Sequence, residues 1–174
     1  MFRAACLFPL LLAASLYAQP ADPAGWTNIP WGSTLADVQA LYPSAVPSAD
    51  VWWTHLALPA VSISGVPFHV DVAARAGDPH VALIALWCHF GLRDDPTVAG
   101  PELFETLKAL LISKYGHQKN EERKVEFGDP AHLFLWVFPT TSIQLVLRQS
   151  DRMHSLGSLH IEYRPLDPAS AGVL

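Results

Sequence analysis

Cysteine is nearly absent: the 174-residue chain holds two, Cys6 and Cys88. Cys6 sits in an N-terminal apolar run, and once that run is cleaved Cys88 is left alone with no intramolecular disulfide to make. Secreted domains often use disulfides to supplement small cores, so this one must rely on burial. Positive charge is also scarce. Eleven Lys and Arg stand against sixteen Asp and Glu, a net charge of −5, and no basic field is left to collect phosphates, which argues against a nucleic-acid partner. Charge of either sign is low, 16% against roughly 25% in an average soluble protein. With 51% apolar residues, disorder driven by self-repulsion is excluded and material for a core is plentiful.

Catalytic motifs are missing as well. The chain has no G-x-S-x-G, no G-x-G-x-x-G or GK[ST], no HExxH and no paired C-x-x-C, so nucleophile elbows, phosphate loops and metalloprotease helices have no signature. No reaction is identified by the residues.

What is present begins at the N-terminus. Arg3 precedes an apolar run from Ala4 to Ala18, followed abruptly by Gln19-Pro20-Ala21-Asp22-Pro23, the layout of a secretory signal peptide with Ala18 as the last residue removed. The run falls short of the ~18 to 20 residues of a membrane span, and Pro9 disfavours a packed helix. No cysteine follows the run to take a lipid. The expected product is a secreted or periplasmic domain with residues 1–18 cleaved, without a membrane span or lipid anchor.

Residues 19–31 carry three prolines and read as an extended lead-in. Leu35, Val38, Leu41 and Tyr42 then repeat at helical spacing behind Thr34, with Asp37 placed to complete an N-cap and Pro43 to stop the run. A second helix is expected from about 101 to 115, with Pro101 and Glu102 early, Leu103, Phe104, Leu107, Leu110 and Leu111 on one face, and Lys114 and Gly116 at its end. Between them the period changes to two. Val66, Phe68, Val70 and Val72 alternate with polar or small residues, 76–79 turns the chain, and 81–90 returns it, a hairpin with 69 opposite 87 and 71 opposite 85. Residues 51–58 read as a further strand; 133–138 with 143–149, then 158–164, repeat the pattern after a charged connector at 117–124, and 125–127 offer a short additional edge. The expected class is α+β, with two tandem α-β-β-β units at about 32–91 and 100–164 in a single domain over 32–164. Its antiparallel sheet would carry helices packed on one face, and 165–174 would form a loose tail.

The stretch Pro30-Trp31-Gly32-Ser33-Thr34-Leu35-Ala36-Asp37-Val38-Gln39-Ala40-Leu41-Tyr42-Pro43 resembles the opening of small exported bacterial domains in which a capped helix leads into a β-meander. Outer-membrane assembly lipoproteins of the BamE type begin this way, and the tandem helix-plus-meander layout is similar to β-lactamase inhibitor proteins. The resemblance implies non-catalytic protein binding through the sheet. The chain departs from the first group in lacking a lipidated cysteine and from the second in lacking a disulfide per unit.

Two constellations remain. His69 and Asp71 share one strand face, with Trp87 and His89 on the same face of the neighbouring strand. An exposed aromatic among polar groups on a rigid hairpin suits a partner surface. The alternative takes His69, Asp71 and His89 as zinc ligands of a small metal-assisted hydrolase. A second group, His160, Glu162 and Arg164 with Arg148 across the ladder from His160, reads as charge pairing on an exposed sheet. The lead-in is a candidate cover for the surplus tryptophans. The function expected is that of a non-enzymatic interaction domain of the bacterial cell envelope, with no cofactor and with another envelope or secreted protein as partner.

Overall fold

The computed structural model describes residues 21–91, 100–126, 129–149 and 157–166. The expected signal peptide and the tail beyond 166 lie outside the described residues. Thr34 caps the first helix, α1 (Leu35–Leu41): its side chain accepts from the Asp37 amide at 3.2 Å, while the Asp37 carboxylate accepts from the Thr34 amide at 2.8 Å. This reciprocal box satisfies two amides that a helix start otherwise leaves unpaired, and those bonds hold the Asp37 carboxyl below its usual range. The second helix, α2 (Gly100–Tyr115), buries Leu103, Phe104, Leu107 and Leu111 and ends at Gly116, whose φ of 75° falls in the left-handed region that terminates helices. Among the described residues no helix is long and apolar enough to cross a membrane.

The strands outnumber what the hydrophobic pattern announces. A short ribbon, β1 (Gly25–Trp26) with β2 (Ile29–Pro30), precedes α1. Four strands follow α1: β3 (Val46–Ala49), β4 (Trp53–Ile63), β5 (Val66–Arg75) and β6 (Val81–Phe90). Four follow α2: β7 (Asn120–Glu126), β8 (Asp129–Val137), β9 (Thr141–Gln149) and β10 (Gly157–Pro165). They form one antiparallel sheet in the order β3-β4-β5-β6-β10-β9-β8-β7, so the two four-strand groups join where β6 pairs with β10.

The expected α+β class is therefore overturned. The described residues are 57% strand and 18% helix, a mostly β protein in which each helix precedes four strands rather than three. Helices of 7 and 16 residues cannot form a layer over this sheet: eight strands at ~4.8 Å spacing span about 34 Å, against about 10 Å for a helix. Of the two edge strands β3 escaped the pattern, and β7 showed in it only as a short edge at 125–127, for one reason. All four residues of β3 are exposed, and β7 (NEERKVE) is mostly charged; edges carry no buried alternation to read. The segment expected as a strand at 51–58 begins instead at Trp53, after a turn in which the Asp50 carboxylate accepts from the amides of Trp52 and Trp53 at 2.7 and 2.8 Å. Those two bonds, with His55 adding less, hold the Asp50 carboxyl below its ordinary range.

One sheet face forms the core. Phe68, Val70, Leu86, Cys88, Phe134, Trp136, Leu145, Leu159 and Ile161 are all buried in one cluster, which also takes Val38 of α1 and Phe104 and Leu107 of α2. The Cys88 thiol is buried, as the strand alternation anticipates. Phe90 sets a close approach. A Cβ on Gly100 would stand 2.4 Å from the Phe90 ring, and one on Gly157 would stand 2.3 Å from the ring and 2.2 Å from the Arg148 carbonyl oxygen. Gly100→Ala and Gly157→Ala should each lower the thermal midpoint. Adding Phe90→Leu should recover most of the first loss and little of the second, because a ring can be trimmed and a sheet carbonyl cannot move. Equal recovery of both by calorimetry would refute this account.

Candidate functional site

Strand alternation sends the residues between the core positions to the opposite, open face. On the β5–β6 hairpin His69 stands opposite Trp87 and Asp71 opposite Ala85, the register expected from the residues. Trp87 organises the group. Its indole Nε1 donates to Asp71 Oδ2 at 2.6 Å, its ring stacks on His69 with centroids 4.3 Å apart at 23°, and His89 meets it edge-on at 5.3 Å. An indole nitrogen donates only, and a carboxylate acceptor makes the bond charge-assisted. The ring is held in one orientation while remaining half-exposed; His69 and His89 are exposed and Asp71 is half-buried.

The pairing of β6 with β10 enlarges this site. His160 lies directly opposite Trp87, Ser158 opposite His89, and Glu162 opposite Ala85. The two constellations that the sequence keeps apart are one continuous surface. Across β9 the rows continue to Val146, Arg148 and Gln144. Arg148 thus pairs with Ser158, one step diagonal to His160 rather than across from it, which corrects the sequence reading by two residues. Glu162 accepts from Arg164 Nη2 at 2.8 Å, and His160 shares a hydrogen bond of 3.0 Å with Ser158. Such half-exposed ion pairs contribute little, ~0.2 to 1 kcal/mol. Beside them Val146, Leu133 and Ala131 form a small buried apolar patch separate from the main core.

The described part of the lead-in does not cover Trp87. It docks on the turn between β8 and β9, where Asp22 Oδ2 accepts from the Thr140 amide and hydroxyl, both at 2.8 Å, and Trp31 Nε1 donates to Thr141 Oγ1 at 2.7 Å. Of the paired tryptophans Trp52 is the one left outside, 75% exposed.

Trp87 also bears on the zinc alternative. The indole contacts each of the would-be ligands, Asp71 by its hydrogen bond and His69 and His89 through its ring. Among the described residues no group of three or more His, Cys, Asp or Glu side chains gathers as a metal site. What the arrangement offers chemically is recognition: an aromatic plane, imidazole and carboxylate hydrogen-bonding groups, and an adjoining guanidinium. Comparison with protein-family models, with curated proteins and with solved structures finds no match, so the site rests on its own geometry and no family is assigned.

Proposed function

We propose that this chain is an exported, non-enzymatic binding domain of the cell envelope, and that it holds another envelope or secreted protein against the open face centred on Trp87. The observation that carries the reading is the pinned indole. Asp71 and His69 remove its rotational freedom before any partner arrives, so little side-chain entropy is lost on binding. The helices send their buried side chains to the core face, and a face that presents a half-exposed tryptophan between two exposed histidines has the make-up of an interface centre with a polar rim. The export part of the proposal rests on the Arg3 to Ala18 signal layout. The resemblance to small exported sheet domains points the same way.

Ala85 gives a direct test. It lies between Asp71 on one neighbour strand and Glu162 on the other, so Ala85→Arg places a bulky cation where two carboxylates can pair with it, blocking the face without disfavouring the fold. Pull-down from the envelope fraction of the exporting cell should retain a partner on the native protein and recover at least 10-fold less of it on Ala85→Arg at an unchanged thermal midpoint. Equal recovery on both, or stoichiometric zinc in protein purified without a tag, would overturn the proposal.

A further inference from the structure

The second feature lies on the core face, and it follows from the helices' failure to span the sheet. α1 with the β1–β2 ribbon stands on one side and α2 on the other, and between them a cavity of about 390 Å³ opens over the sheet. Its volume lies within the ~300 to 1,000 Å³ of small-molecule sites. The ribbon supplies Trp26, α2 supplies Leu107, Leu110 and Leu111, and Leu86 and Ile161 form the floor.

The far wall comes from β4, and its residues are there because of a bulge. Leu58 and Val61 are three positions apart, which in a regular strand would put them on opposite faces. The pairing shifts between them, so that Leu58 registers with Val70 and Val61 with Phe68, two core-face residues. Both therefore line the cavity together with Ile63. The remaining wall is braced: Tyr42, at the end of α1, donates to Asn28 of the ribbon turn at 2.5 Å.

The lining carries no charge. Trp26, Thr27, Tyr42 and Tyr163 are its only members with polar side-chain atoms. Tyr163 is buried and hydrogen-bonded to Tyr115, and burial first, then that neighbour, pushes its phenol far above the ordinary range, so it stays neutral. A charged group would be desolvated here with no partner, whereas a saturated chain meets branched aliphatic side chains from β4, α2 and the floor and aromatic rings from the ribbon and the end of α1.

We infer that this cavity is a binding site for the hydrocarbon chain of a small uncharged amphiphile, with the chain between α1 and α2 and its polar end at the mouth beside Leu110, which is 49% exposed. The site is separate from the Trp87 face and does not depend on it.

The neutral fluorophore N-phenyl-1-naphthylamine, titrated into the protein, should bind saturably at one per chain and be displaced by 1-decanol. Leu110→Trp fills the mouth from an exposed position, so the fold should survive. It should weaken both ligands at least 10-fold, whereas Leu110→Ala should keep binding within about threefold. Failure to saturate at one per chain, or equal affinity in a folded Leu110→Trp protein, would overturn the inference. So would light scattering that shows a dimer which Leu110→Trp dissociates, since the groove would then belong to a second copy. Ala85→Arg should leave decanol binding intact, which separates failure here from failure of the partner surface.

Discussion

Trp136→Ala is expected to bring the protein to the edge of unfolding, at a cost of about 3–5 kcal/mol, the range for removing a large aromatic from a packed core. Among the described residues Trp136 leads the fully buried side chains in volume, at 2% exposure. It also holds two elements together: its Nε1 donates to the Gly116 carbonyl at 2.8 Å, tying the C-terminus of α2 to β8. Alanine leaves both a cavity and a carbonyl without its donor. Since a domain's whole stability is typically ~5–15 kcal/mol, the loss is a large share of the total. Trp136→Phe separates the two contributions by keeping most of the ring volume and deleting the donor, and it should cost about 1–2 kcal/mol. Urea denaturation of the three proteins checks the ordering. An alanine variant within 1 kcal/mol of native would mean that the α2–β8 junction is not part of the cooperative core.

Trp87→Ala should do the opposite, with a small change in stability and a large one in binding. Its indole is half-exposed, and the Asp71 and His69 that it touches can turn to water when it leaves. An anchor of this kind at an interface centre contributes 2 kcal/mol or more, about 30-fold in affinity. Trp87→Phe keeps the stack on His69 and gives up the bond to Asp71, so it should fall between native and alanine. If instead Trp87→Ala unfolds the domain while binding per folded molecule is intact, Trp87 is a core residue and the partner surface lies elsewhere.

The two tryptophans look alike in sequence, each in a nearly continuous apolar run, and what distinguishes them shows how far local pattern reaches. Alternation over 66–72 and the turn at 76–79 were enough to register His69 with Trp87 and to send Cys88 inward, because a hairpin's pairing is local and a slip of one residue would expose its whole apolar set. The Thr34–Asp37 box and the Gly116 terminus were legible for the same reason, since caps are made by neighbours within a turn.

The sequence by itself therefore determined the helix caps, the central hairpin and the buried thiol. Tertiary structure decided the rest. The exposed β3 and charged β7 became strands only by pairing with β4 and β8, turning an expected α+β domain into a mostly β one. His160 came to face Trp87 through the β6–β10 pairing, whose partners lie on opposite sides of α2 in the chain. The cavity exists because two short helices leave a gap over an eight-stranded sheet. Each of these is set by the geometry of elements far apart in sequence, and propensity and periodicity, being sums over a few adjacent residues, carry no term for that geometry.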